Sequence, residues 1–143
     1  MKEECWNDCL DNFSARKITS DKAKAKSLID TSSGRIKFLE KNIINENNAN
    51  YIFENYYSSI LELLHSLAIL DGYQISNHIC LGYYLKEIIK KENLFRIFDD
   101  LRYKRNSIVY YGKRMNFATA EKAIKDSKSL IDEFNKLLKG RIK

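Results

Sequence analysis

The sequence predicts an all-α protein, an up-and-down bundle of five to six helices, on three observations. Proline is absent and only five of 143 residues are glycine, which removes the usual punctuation of β-rich folds. Apolar residues recur at steps of three and four over several long windows. The stretches between those windows are short and polar, so residues 1–143 read as a single helical domain, with no internal repeat and no dividing linker. A chain of this length buries roughly two-thirds of the surface its unfolded form exposes. That is enough for one hydrophobic core without disulfide support.

A first short helix is expected over about Glu3 to Ala15, where Cys5, Trp6, Cys9, Leu10 and Phe13 fall on one side. Ser20 then precedes Asp21 as a cap, with the acidic residue well placed in the first turn, and the second helix continues to about Ile44. Ala25, Ile29, Ser32, Ile36, Leu39 and Ile43 give it a narrow seam for lengthwise packing. Small residues at Thr31-Ser32-Ser33-Gly34 would let a neighbour approach closely. After the polar connection Asn45–Asn50, Ile52, Tyr56, Ile60, Leu63, Leu64 and Leu67 define a third helix ending near Leu70. It is the most apolar element and therefore the central one. Gly72 suits a left-handed C-terminal cap, and Ser76 suits the start of a fourth helix carrying Ile79, Leu81, Tyr84, Leu85, Ile88 and Ile89. The fifth covers about Asn93 to Tyr111 and is stopped by Gly112. A loop through Asn116 leads to a last amphipathic helix over Thr119 to Leu138 and a basic tail.

Composition narrows the function classes. The 25 Lys and Arg against 19 Asp and Glu give a net charge of +6. This suits an anionic partner without singling out nucleic acid, since no block of consecutive basic residues occurs. Apolar runs fall far short of the ~18 residues a membrane span needs, so no membrane role is expected. Cys5, Cys9 and Cys80 are an odd number, and the chain opens Met1-Lys2-Glu3-Glu4 with no apolar targeting segment. The expectation is a reducing, cytoplasmic compartment in which these thiols are small buried apolar groups. Cys5 and Cys9, one helical turn apart with no histidine beside them, make an incomplete metal site. His65 and His78 have no sequence-local Cys or Ser nucleophile, and five scattered glycines build no phosphate loop. No metal and no cofactor are expected.

The feature that points to function lies in the fifth helix. At about 100° per residue, Leu94, Ile97, Phe98, Leu101, Ile108 and Val109 share a sector with Arg105 near its middle. A guanidinium there requires a carboxylate, carbonyl or phosphate partner, because its charge does not titrate away. Two explanations stay open. Arg105 pairs with Asp99, Asp100 or a carboxylate of a neighbouring helix, or it lines a functional cleft or a seam between subunits. Asn106 either orients that arginine or bonds backbone near the helix end, and Tyr110 and Tyr111 are either ligands or packing aromatics.

Arg105-Asn106, followed after three further residues by Tyr110-Tyr111-Gly112, carries a resemblance to a known family. With the aromatic Glu54-Asn55-Tyr56-Tyr57 opening of the third helix and the turn from Asp71-Gly72-Tyr73 to Ser76-Asn77-His78, the chain resembles the HEPN superfamily over nearly its whole length. These are small helical bundles, many of them RNases or inactive relatives of RNases. The resemblance implies a HEPN-like homodimer that binds RNA or a nucleotide in a cleft shared between subunits. Arg105 would contact phosphate and Asn106 orient it, with Arg102 and Tyr111 as further binding residues. It also implies, from the family's frequent toxin–antitoxin pairings, a nucleotidyltransferase partner, to which the Tyr110 or Tyr111 hydroxyl would be a target for nucleotide transfer.

The chain departs from the family pattern at one position. In the family's RNases a histidine and the arginine act on the scissile phosphate, with the ribose 2′-hydroxyl as nucleophile; here Tyr110 stands where the motif has that histidine. A phenol with a pKa of about 10 is a poor general base at neutrality beside an imidazole of about 6.5. It can still donate a hydrogen bond or stack on a base. The expectation therefore moves from catalysis by Arg105, Asn106 and Tyr110 towards binding. An active endoribonuclease in which Tyr110 replaces histidine, and a purely structural interaction module, are the alternatives. On an unbroken helix Arg105 and Tyr110 point roughly 140° apart, so they are expected to meet only if the helix unwinds towards Gly112 or across a dimer.

Overall fold

A computed structural model describes residues 2–142; Met1 at the start and Lys143 in the basic tail lie outside the described residues. Six α-helices, α1 (Trp6–Asp11), α2 (Lys22–Glu40), α3 (Ala49–Leu70), α4 (His78–Tyr83), α5 (Glu92–Tyr111) and α6 (Phe117–Lys139), form the expected all-α bundle. Two short strands, β1 (Ala15–Lys17) and β2 (Tyr73–Ile75), accompany them, and α4 runs on into a π-turn over Tyr84–Ile88.

The bundle is built around α3, whose Phe53, Tyr57, Ile60, Leu63, Leu64 and Leu67 are all but sealed from solvent. Its sequence is apolar on nearly every side, and such a helix is stable only when neighbours cover it. The main covering helices are α2 and α6. Small residues let α2 approach closely: Ser32 Oγ donates to the Ser59 carbonyl at 3.3 Å, and Ser66 Oγ to the Ala25 carbonyl at 3.2 Å. The close approach expected at Thr31–Gly34 thus occurs at Ser32. At Gly34 nothing lies within 4 Å of where a Cβ would stand. Arg35 grips Glu62 through two parallel bonds of 3.1 Å, fastening α2 to α3.

Several helix limits differ from those read in the sequence. The first helix stops at Asp11 because Asn12 accepts from the Ser14 N–H and Phe13 takes a left-handed φ of 65°, turning the chain into β1. Ala15 then pairs with Ile75 and Lys17 with Tyr73 in an antiparallel two-stranded sheet. Asp21, not Ser20, caps α2 by accepting from the Lys24 N–H. The same helix ends at Glu40, leaving Ile43 86% exposed rather than on the seam. Asn77, not Ser76, caps α4 by accepting from the Cys80 N–H. Asn50, expected in the polar connection, lies buried in α3, where its side chain accepts from the Met115 N–H and donates to the Met115 carbonyl. Gly72 and Gly112 stop their helices with left-handed φ values of 87° and 63°, as the sequence predicts.

The cysteines are the largest correction. Cys9 and Cys80, 71 positions apart, form a disulfide joining α1 to α4, and Cys5 is left as the half-buried free thiol. The pairing of β1 with β2 carries the two residues towards each other, a proximity that spacing along the chain conceals. Trp6 N–H donates to Glu87 of the π-turn at 2.7 Å and Tyr83 of α4 to the carbonyl of Glu3, ahead of α1, at 3.2 Å, so polar contacts hold the flanks of the same junction together. At the other end Arg141 reaches Asp71 at 3.1 Å, tying the tail to the α3–β2 turn. No helix among the described residues is long and apolar enough to cross a membrane.

Candidate phosphate-binding cluster

The carboxylates that sequence offered to Arg105 are engaged elsewhere. Asp99 accepts from Arg102 Nε at 3.0 Å and Nη2 at 2.8 Å, and Asp100 accepts from Lys104 at 2.7 Å. Among the described residues no carboxylate forms a salt bridge with Arg105. Its one polar contact is a long 3.4 Å bond to Asn106 Oδ1. The guanidinium lies instead against two aromatic rings, 5.6 Å from the centroid of Tyr57 and 5.9 Å from that of Tyr110. The ion-pair explanation of this arginine fails, and Asn106 is the side chain that meets it.

The Tyr110 contact also corrects the angular argument. The α5 helix stays regular through Tyr111, and Arg105 nevertheless meets Tyr110 within one chain. The long arginine stem spans the offset that Cα directions alone forbid. Neither unwinding nor a second chain is needed.

Tyr57 carries the cluster across to a residue that sequence set aside. Packed flat against Phe98 of α5 and buried in α3, it meets His78 Nδ1 through its hydroxyl at 3.1 Å. Burial pushes the Tyr57 phenol well above its ordinary value, more than the nearby Arg105 and Arg102 charges pull it down. It therefore stays protonated and can donate to Nδ1. His78 is pushed down to about 4, first by burial and then by the charges of Arg105, His65 and Arg102. At neutral pH the imidazole is uncharged. With Tyr57 donating, its lone pair on Nδ1 is used and its own N–H is Nε2, a tautomer assigned from the bonding pattern.

Three helices thus bring Tyr57, His78 and Arg105 into one cluster, with Tyr110 over the arginine and Arg102 at its margin. Arg102 is held to Asp99 with its side chain 21% exposed. Tyr111 is 79% exposed and makes none of these contacts. Sequence reasoning missed His78 and Tyr57 as members because they stand 21 positions apart on different elements. The turn containing Ser76-Asn77-His78 was the available signal.

The surroundings are basic and aromatic. Lys113 and Arg114, just past the end of α5, have no salt bridge among the described residues, and Arg114 lies over exposed Tyr51 at 5.1 Å. Tyr110 is 69% exposed. Unpaired cations beside exposed rings can neutralise phosphate and stack on bases. The described residues contain no group of three His, Cys, Asp or Glu arranged to hold a metal ion. A concavity of about 700 Å³ lies elsewhere, between α2 and α6, lined by Ile29, Asp132, Asn135, Lys136, Leu138 and Lys139 among others. Its charged groups, Asp132, Lys136 and Lys139, all stand on α6, whereas the Arg105 cluster draws its side chains from three helices and is the better candidate. No family model, curated protein or solved structure matches this chain.

Proposed function

We propose that this protein is a HEPN-type homodimer that binds RNA or a nucleotide through phosphate contacts centred on Arg105. The observation that carries the reading is the half-buried guanidinium without a carboxylate partner among the described residues. Such a charge is costly to keep out of water unless a ligand completes it. Asn106 orients it, and exposed Tyr110 and Tyr111 offer rings for stacking. A nucleotidyltransferase partner belongs to the same reading and rests on the family resemblance alone, whereas cytoplasmic residence rests on the odd number of cysteines and is opposed by the Cys9–Cys80 disulfide.

The test is a titration of the full chain with single-stranded oligouridylate at low and moderate salt, beside Arg105→Ala. Binding should weaken about tenfold or more in the variant, and its salt slope should fall by about one. Equal binding by both proteins sinks the Arg105 assignment. No binding by the wild type even at low salt leaves the purely structural interaction module. Cleavage of the RNA by the wild type, lost in Arg105→Ala and in Tyr110→Phe, establishes the endoribonuclease. Sedimentation of the same sample checks the dimer, for which a monomer at micromolar concentration is the contrary result.

A further inference from the structure

His78 is a neutral imidazole bonded to Tyr57, against whose ring lies Arg105, an arginine without a salt bridge among the described residues. Tyr57 and His65 face it from α3, and Arg102 and Arg105 from α5. Neither Asp99 nor Glu3 bonds it. Asp99 is occupied by Arg102, and Glu3 bonds Asn12, Ser14 and, at 3.5 Å, the Asn77 side chain. The charged neighbours acting on His78 are therefore cations. An anion seated on Arg105 offsets that field and offers the imidazole an acceptor, without moving any protein group.

We propose that a phosphodiester bound by Arg105 also engages His78, and that His78 takes up one proton from solvent as the ligand binds. This rests on the reading of Arg105 as the phosphate contact and adds a second binding residue to it. In the complex the imidazolium donates through Nδ1 to the Tyr57 oxygen and through Nε2 to a phosphate oxygen. Tyr57 suits this because a hydroxyl both donates and accepts, so its 3.1 Å contact with Nδ1 persists with the direction of the bond reversed. Arg105 alone would give an affinity independent of pH over the range in which histidine titrates. Two donors, one of them titrating, give an affinity that rises as pH falls.

The size follows from linkage. Burial and the neighbouring cations hold the unliganded imidazole at about 4. If phosphate returns it to the ordinary histidine value, binding tightens roughly thirtyfold between about pH 7.5 and about pH 5. Oligouridylate without terminal phosphates is the suitable probe, since neither uracil nor a phosphodiester titrates in that interval. Titrations of full-length wild type, His78→Gln, His65→Gln and Arg105→Ala at constant ionic strength should show the tightening in wild type and His65→Gln and a nearly flat response in His78→Gln. Calorimetry of the wild type in two buffers of different ionisation enthalpy should show uptake of about 0.9 proton near pH 5, falling to about 0.1 at about pH 7.5.

Binding that depends on Arg105 but not on pH overturns the His78 proposal and leaves the phosphate reading standing, as does a pH response that survives in His78→Gln. Binding that is absent, or equal in Arg105→Ala, overturns the phosphate reading itself. Should His78→Gln fail to fold, the imidazole nitrogen resonances of wild type decide. A neutral His78 in the saturated complex at about pH 5.5 rejects the proposal, and an imidazolium there supports it.

Discussion

The Tyr57–His78 pair links one hydrogen bond to the acid stability of the whole fold. In the unfolded chain His78 takes a proton near its ordinary value, whereas in the folded chain burial and Arg105 delay this to about 4. Above the ordinary value both states are neutral and His78 contributes no slope. Between the two values the unfolded state binds more protons, so stability falls as pH drops through that interval. His65 is lowered in the same direction by burial and by Lys24. The loss attributable to His78 is roughly 1–2 kcal/mol after allowance for its partial exposure. Urea midpoints measured from neutrality down to about pH 4.5 should therefore fall less steeply in His78→Gln than in wild type, and equal slopes would reject the assignment. At this scale the sequence was half readable. Arg105 stood out because a fixed charge violated an apolar period. The imidazole beside it obeyed every local rule, and its relation to Tyr57 exists only after α3 and α4 have packed.

At the scale of elements, two glycines make opposite predictions from their backbone settings. Gly34 lies inside α2 with open space around a future Cβ, and Gly112 ends α5 at a φ of 63° with equally open space. Gly34→Ala should raise stability by about 0.5–1 kcal/mol and Gly112→Ala should lower it by about 1 kcal/mol. Thermal or denaturant unfolding of the two variants measures the difference, and a shared sign would mean that one of these backbones is misassigned. Asn50→Ala should cost more, roughly 2–3 kcal/mol, since it strips both bonds from the Met115 peptide where the α5–α6 loop meets α3. Long helices were legible because their apolar periods extend over many turns, and α3, α5 and α6 appear within a few residues of their expected limits. The failures cluster where a few residues decide. Asn12 and Phe13 end α1 early by a side-chain bond and a left-handed turn, and strands of three residues are too short to display alternation.

The whole molecule is held by a core around α3 and by one cross-link over 71 positions. Sequence could count three cysteines but not pair them, because the pairing depends on β1 meeting β2. Closing a loop of this length in the unfolded chain is worth about 4 kcal/mol in the chain-entropy account, so a thiol reductant should lower the melting temperature markedly. In denaturant without reductant, one thiol per chain, Cys5, should react with a disulfide reagent; after reduction, all three should. Three reactive thiols at the outset would instead restore the expectation of a permanently reduced protein. The bond has another consequence, for the response to cutting. Residues 9–80 form a covalent ring that contains β1, α2, α3 and β2, whereas α6 lies outside it. A protease that nicks the exposed stretch between α2 and α3 leaves two fragments that migrate together until reductant separates them. A nick between Gly112 and Asn116 releases α6 as a piece held only by non-covalent contacts, the Arg141–Asp71 ion pair among them.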